Sequence, residues 1–334
     1  VSGRARPVTA ATARPVTAAT AADVAARLRQ ADAVTILCHV RPDPDTLGSG
    51  LALGQALATL GKSVEVAYPG DLQLPASMAA LPGSDLLVAP AAVVGHPTAV
   101  SVDAATLGRL EGLADVFTAA PTRIVIDHHV SNTGFGTVDL IDPASDCTAA
   151  LVLEIVDALD VDLTESIATC IYAGLVTDTG SFKWARPASF GIAARLLQAG
   201  VDGARWSRQL LDSHPFAWFR VVGEVLAHAC LVESACGGAG LVYTTVPHEL
   251  LSAMPWDESE SLIDLVRTAR EVEVAAVFKE SEPGRWNVSL RSKDSIDVTT
   301  IARAFGGGGH VRAAGYSATG SAAEVTAALV ALLD

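Results

Sequence analysis

Two rhythms of apolar residues divide the chain. Between residues 22 and 202, short apolar runs recur as "AVTILC", "SVEVAY", "TAVSVD" (Thr98 to Asp103), "TRIVID" (Thr122 to Asp127) and "TVDLID" (Thr137 to Asp142). They alternate with longer stretches of helical spacing: "AADVAARLRQA", "TLGSGLALGQALATLG", "CTAALVLEIVDAL", "TESIATCIYAGLVTDT" and "SFGIAARLLQAG". Strands apolar on both faces, interleaved with helices, predict a mostly parallel sheet covered on both sides, a doubly wound α/β domain. Next, "VDGARWSRQLLDSHPFAWFRVVGEVLAHAC" reads as one or two linker helices over 203–232. From 233 to 334 the predicted order is strand, helix, strand ("EVEVAAVFKE"), strand ("WNVSLRS"), short helix ("VTTIARAF"), a glycine run and a last helix ("AAEVTAALVALL"). That is a second, smaller α/β domain. Residues 1–21 hold a duplicated "ARPVTAAT", too short and too rich in Pro, Thr and Ala to bury a core, and are expected to be a disordered lead-in.

Composition narrows the function. A chain of 334 residues, 50% apolar, has room for two cores. Its formal charge of −14 argues against a long basic face tracking phosphates, so a nucleic-acid partner should be short. The five cysteines are odd in number and include no C-x-x-C, which predicts reduced thiols rather than a disulfide framework or zinc ribbon. No run approaches the roughly 18 apolar residues of a membrane span, and no apolar signal core opens the chain, so the expectation is a cytoplasmic protein without membrane contact.

In open α/β sheets the ligand sits beyond the carboxyl ends of the strands. There the chain places His39, Asp43 and Asp45 after the first strand, Asp103 after "TAVSVD", and Asp127, His128 and His129 after "TRIVID"; Asp178 ends the helix in "GLVTDTGSF". Each alone is more simply an N-cap or turn residue. Together, five carboxylates and three imidazoles could not converge without cations, which predicts a polynuclear metal site. Oxygen donors with some imidazole and no thiolate suit Mn²⁺ or Mg²⁺, and the imidazoles tilt the choice to manganese; donor type leaves zinc and iron open. In the second domain, the run Gly306 to Gly309 ending in His310 follows a helix instead of opening one, so it is neither a dinucleotide fingerprint nor a P-loop. Four glycines can be a simple hinge. Beside Arg291, Ser292, Lys293 and Arg312, they can also form a backbone nest for a phosphate or base, with Arg291 and His310 as leading contacts.

Five stretches in order, "CHVRPDPDTLGSG", "VDAATLGRL", "VIDHHVSN", "GLVTDTGSF" and "VSLRSKDSIDVTTIARAFGGGGHVRAAG", resemble the motifs of the DHH phosphoesterase superfamily and its DHHA1 branch. Nearly the whole chain after about residue 22 is similar to the bacterial oligoribonuclease and pAp-phosphatase group, whose actinobacterial members also cleave cyclic dinucleotides or their linear products. Pro44 departs from the usual Gly, and Thr46 from a common Ala. The resemblance implies that His39 and Asp43 hold one metal, that Asp45, His128 and Asp178 hold another, and that Asp103 bridges them. It implies Asp127 behind a histidine, His129 as phosphate contact or proton donor, and Arg291, Ser292, Gly307, Gly308, Gly309 and His310 around the far end of the substrate. Two cations roughly 3.5–4 Å apart would let a bridging hydroxide attack phosphorus. The implied substrates are cyclic di-AMP, linear dinucleotides such as pApA, nano-RNA and pAp, and the implied assembly is a homodimer. A pyrophosphatase or exopolyphosphatase, and an inactive nucleotide-binding regulator, are the alternatives.

Overall fold

The computed structural model describes residues 19–254 and 256–334. Most of the duplicated lead-in lies outside the described residues. Its last part is already engaged: Thr20 caps the first helix in a reciprocal bond with Asp23.

The first lobe is built on five parallel strands: β1 (Ala33–Leu37), β2 (Ser63–Ala67), β3 (Thr98–Val102), β4 (Thr122–Asp127) and β5 (Val138–Ile141). Their spatial order is β2-β1-β3-β4-β5, with Ile36 opposite both Val66 and Val100. The chain steps outward from β1 to β2 and then returns past β1 to β3, so the winding reverses between β1 and β3. A crevice opens at such a reversal. His39 follows β1 and Asp103 follows β3, one on each side of it.

Helices α1 (Ala21–Gln30), α2 (Pro44–Thr59), α3 (Ala114–Ala119), α4 (Thr148–Ala158), α5 (Glu165–Asp178) and α6 (Pro187–Gln198) complete this lobe. One sheet face, with Ile36, Val100, Val102, Ile124 and Ile126, packs on α1, α2, α4 and α5. Each fully buried side chain of this size contributes about 1.5–3 kcal/mol. The other face, with Leu37, Ala99 and Val125, is closed mainly by Leu110, Leu113 and Phe117, from a 3₁₀ turn and α3, with Val88, Val93 and Phe135 from loops packed beside them. Both faces are covered as expected, but unevenly.

Two glycines let α2 and α5 approach closely. A Cβ on Gly48 of α2 would stand 2.3 Å from the Cys170 carbonyl oxygen, and one on Gly174 of α5 would stand 2.3 Å from Asp45 Oδ1. The missing side chains let the two helices run against each other in opposite directions. The start of α2, with Asp45, thereby meets the end of α5, with Asp178.

Helices α7 (Gly203–Leu211) and α8 (Trp218–Ala227) connect the lobes. The second lobe contains β6 (Cys230–Val232), α9 (Ala235–Gly238), β7 (Leu241–Val246), α10 (His248–Ser252), α11 (Trp256–Glu260), α12 (Leu262–Val266), β8 (Val274–Glu282), β9 (Arg285–Ser292), α13 (Val298–Ala304), β10 (Gly308–His310), β11 (Ala313–Thr319) and α14 (Ala322–Leu333). Its sheet is mixed, in the order β10-β11-β9-β8-β7-β6, with only β7 and β8 parallel. Alternation along β8 sends Val274, Ala276 and Phe278 to one core and Ala275 and Val277 to the other.

Two expectations change here. "AAGYSAT" forms a strand that its small residues hid, and the glycine run is more than a loop, because Gly308–His310 pairs antiparallel with Gly315–Ala313 as an edge strand. Gly307 and Gly309 are glycines for packing reasons: a Cβ would lie 2.1 Å from the Gly315 carbonyl oxygen and 2.5 Å from that of Ala313, respectively. No helix among the described residues is long and apolar enough to cross a membrane.

Candidate active site

The first strand breaks off into "HVRPDPD", and the local chemistry explains the break. Asp43 is the N-cap of α2, its Oδ1 accepting from the backbone N–H of Asp45 (3.1 Å) and Thr46 (3.0 Å). Pro44 occupies the first helical turn, where a missing N–H costs nothing. The helix thus begins before Asp45, earlier than the sequence reading places it, and Asp45 faces inward from its first turn. Asp43 Oδ2 lies 3.4 Å from His39 Nε2. The other His39 nitrogen, Nδ1, lies 2.9 Å from the Val40 carbonyl and 3.0 Å from an Arg109 guanidinium nitrogen.

Asp103 stands at the centre with a left-handed backbone (φ 59°). Its two oxygens point to opposite sides, Oδ2 3.5 Å from His39 Nε2 and Oδ1 3.5 Å from His128 Nε2. Thr148 donates its hydroxyl to Asp103 Oδ1 at 2.8 Å. Asp45 is fully buried and takes two N–H groups at the start of α4, Thr148 N at 2.7 Å and Ala149 N at 2.9 Å. This carboxylate from α2 therefore caps α4, whose own N-cap Cys147 supplies no side-chain bond. His128 Nε2 lies 3.2 Å from Asp178 Oδ2 and 3.9 Å from Asp45 Oδ2.

Asp127 holds the third histidine. Its Oδ1 pairs with His129 Nδ1 at 2.7 Å and accepts from the His128 backbone N–H, while Oδ2 accepts from Asn132 Nδ2 at 2.6 Å. Asn132 also donates to the Ala104 carbonyl, tying the ends of β3 and β4 together. Asp127 is buried, yet the His129 and Asn132 bonds bring it below the ordinary carboxylate range.

His310 reaches this cluster from the other lobe. Its ring stacks on His129 with centroids 4.3 Å apart and lies 4.7 Å from that of His128. The sequence reading puts the glycine loop on the opposite wall, at the far end of a substrate; here its last residue touches the cluster itself. Arg291 lines the interlobe cleft, with one guanidinium N–H on the Leu290 carbonyl. Ser292 is not brought to the cluster's chemistry, because its hydroxyl donates to the Ile296 carbonyl at 2.6 Å. Lys293 likewise bonds the Ala269 carbonyl and Arg312 that of Ile296. These three brace the turns around β9 and β10. Gly307 packs beneath β11, while a Cβ on Gly308 would meet nothing within 4 Å.

Asn132, Thr148 and Arg109 escaped the sequence reading. Asn132 stands five residues after Asp127 in "VIDHHVSN", and Arg109 belongs to "GRL" after Asp103, so both carried a positional signal. Thr148 carried none, since only the docking of α4 on α2 brings it here.

The electrostatics of the cluster test its fitness for metal. Burial pushes Asp45 well above the ordinary carboxylate range, and the negative charges of Asp103 and Asp178 add to the push. Burial works against a charged His128, but Asp178, Asp103 and Asp45 outweigh it and drive the imidazole up to about 11. His39, opposed by burial and raised by Asp43 and Asp103, is driven up to about 9. The carboxylates thus draw protons onto two buried histidines to supply missing positive charge. Three-donor sets within 4.8 Å occur at His39, Asp43 and Asp103 and at Asp45, Asp103 and His128. Oxygen and imidazole donors converging around a charge deficit fit divalent cations.

A parallel sheet with a ligand crevice at its winding reversal, an acid and histidine cluster fit for divalent cations in that crevice, and a second lobe that touches it define a two-lobed α/β protein with a metal-fit site where the lobes meet. The model of the DHH family N-terminal domain matches residues 33–175, and that of the DHHA1 domain matches 240–334. The bifunctional oligoribonuclease and PAP phosphatase NrnA of Thermus thermophilus is 34% identical over 291 residues, 86% of this chain and 84% of that protein. The Bacillus subtilis protein of the same name is 23% identical, over 86% of this chain and 89% of its own length. A solved structure of an exopolyphosphatase-related protein from Bacteroides fragilis shares the fold, with a TM-score of 0.83 and 24% identity over 93% of this chain and 96% of that one. This chain belongs to the DHH phosphoesterase family, in the branch that carries a DHHA1 domain.

Proposed function

We propose that the protein is a two-metal phosphoesterase of short nucleotides, acting on linear dinucleotides such as pApA, on cyclic di-AMP, on nano-RNA and on pAp, with AMP as a product. The observation that carries this reading is Asp103, whose two oxygens face His39 and His128 in two donor sets that share it. His39, Asp43 and Asp103 would hold one ion, and Asp45, Asp103, His128 and Asp178 the other, with Mn²⁺ the better match and Mg²⁺ the alternative. When bound, such ions supply Lewis acidity and neutralise charge on the phosphate oxygens.

The chain's own residues do the rest. Asp127 fixes the His129 ring through Nδ1, which leaves Nε2 to give a proton to a phosphate oxygen or leaving group. The start of α4 points its N–H groups and positive end at Asp45, lowering the cost of a buried carboxylate beside an anionic substrate. Asp43, Asp178 and Arg291 border a cleft of about 660 Å³ between the lobes, a size that suits a few nucleotides. The Thermus relative is named an oligoribonuclease and PAP phosphatase, which supports short nucleotides over pyrophosphate.

The test is to offer purified protein with Mn²⁺ the substrates pApA, cyclic di-AMP, a short RNA, pAp and pyrophosphate, and to resolve products by chromatography. AMP from the nucleotides supports the reading. Phosphate from pyrophosphate alone overturns it.

A further inference from the structure

The interlobe cleft has a second cluster, away from the histidines and acids of the metal-fit site. His214, from the segment between α7 and α8, pairs through Nδ1 with Glu258 Oε2 of α11 at 2.6 Å. Its ring lies flat on the Trp218 indole, with centroids 3.9 Å apart and planes 4° from parallel. The Glu258 carbonyl in turn accepts from Trp218 Nε1 and from the Ser261 hydroxyl. Carboxylate, indole and imidazole therefore hold one another, and none of this serves the chemistry at Asp103. Both rings line the cleft, and of the two the imidazole is the more open to it, with Trp218 8% exposed and the His214 side chain 21%.

The surroundings decide what could sit there. Asp257, Glu258, Glu260 and Asp264 all line this part of the cleft. Asp43, Asp178 and Asp212 line the cleft as well, so seven carboxylates face three cations, Lys183, Arg267 and Arg291, of which Arg267 is bonded to Asp264. A phosphate placed beside Glu258 would meet an excess of carboxylates. An uncharged, flat, aromatic group would meet a rigid ring and the side chains of Met78, Leu211 and Leu265.

Resting on the nucleotide reading above, we infer that His214, backed by Trp218 and held by Glu258, is the platform on which the base of a bound nucleotide stacks while its phosphate lies at the cluster around Asp103. The Glu258 bond fixes the ring's orientation, so the platform exists before the ligand arrives. Stacking of a base on a ring of this kind is sequence-tolerant, which predicts affinity for several bases rather than a reading of one.

The experiment measures binding of AMP and of ribose 5-phosphate by calorimetry, and kcat and KM for pApA, in the full chain and its His214→Ala and His214→Phe variants. Wild type should bind AMP about tenfold or more tightly than ribose 5-phosphate, because only AMP carries a base. His214→Ala should raise KM for pApA by roughly ten- to hundredfold with kcat little changed, and His214→Phe, which keeps a ring, should recover most of the loss. Equal affinity for the two ligands, or an unchanged KM in His214→Ala, overturns the inference. If His214→Ala does not fold, His214→Gln against His214→Phe makes the same comparison. If wild type hydrolyses no nucleotide, the phosphoesterase reading fails, while calorimetry still decides the subsite.

Discussion

In the first lobe, the polar residues at the carboxyl edge of the sheet are buried and held by fixed donors: Asp45 by two N–H groups of α4, Asp127 by His129, Asn132 and a backbone N–H, and Asp103 by Thr148. In the second lobe, His310 reaches the same place from a three-residue edge strand, and Arg291, two strands further in on β9, bonds little beyond its own backbone. Buried groups with several partners are costly to move, because every partner would be left unsatisfied. An edge strand pinned along one side can shift at smaller cost. The contrast makes the first lobe a fixed charge template and the second an adjustable wall that completes it.

The contrast can be broken in graded ways. The largest effect should come from Asp103→Ala, which removes the carboxylate shared by both donor sets. Turnover of pApA should fall by roughly 10³-fold or more, with far-UV circular dichroism unchanged. Activity near wild type would mean that the template does not depend on its centre. Next, Asp127→Asn loosens the His129 ring, and activity should drop by about 10- to 100-fold with little change in melting temperature.

Gly174→Ala and Gly307→Ala compare the two lobes directly. The first forces a methyl group to within 2.3 Å of Asp45 Oδ1 and 2.8 Å of the Ala149 side chain. It should cost about 1–3 kcal/mol by urea unfolding and weaken the Mn²⁺-dependent rise in melting temperature. The second crowds the Gly315 carbonyl and should disturb β10 and the position of His310, raising KM while leaving the Mn²⁺-dependent rise intact. If both variants changed that rise equally, the lobes would not differ as described.

The smallest expected effect lies outside the site. Glu65 on β2 is buried, which alone would raise its pKa; bonds from Thr35 and from the Val94 and Gly95 N–H groups instead hold it below the ordinary carboxylate range. A carboxyl lowered by folding stabilises the protein above its unfolded value, and that contribution is lost as pH falls through the lower, folded value. Glu65→Gln should therefore be less stable than wild type by about 1–3 kcal/mol at pH 7, and the gap should shrink on acidification. A gap independent of pH would show that packing, not charge, is responsible.

Much of this was legible in the residues. Strand ends carry Asp103, Asp127, His128 and His129 because a parallel sheet sends all its carboxyl ends to one edge, so strand order was not needed to gather them. The start of α2 was misplaced for a local reason, since Asp43 looks like a loop residue until its capping bonds are seen. Pro44, odd between two aspartates, becomes ordinary in the first helical turn. The strand Ala313–Thr319 was missed because small residues give no clear alternation, and its pairing with β9 is what defines it.

By itself, then, the sequence determined which residue types meet at the sheet edge, because hydrophobic period and strand direction are local properties that carry side chains to a common side. Only the tertiary structure decided which atoms face each other. Asp45 became the cap of α4 through two glycines that let α2 and α5 close together. His310 came to lie on His129 through a docking of lobes that no local pattern encodes. Such contacts depend on shape complementarity between segments far apart in the chain, and packing of that kind exists only once both surfaces are built.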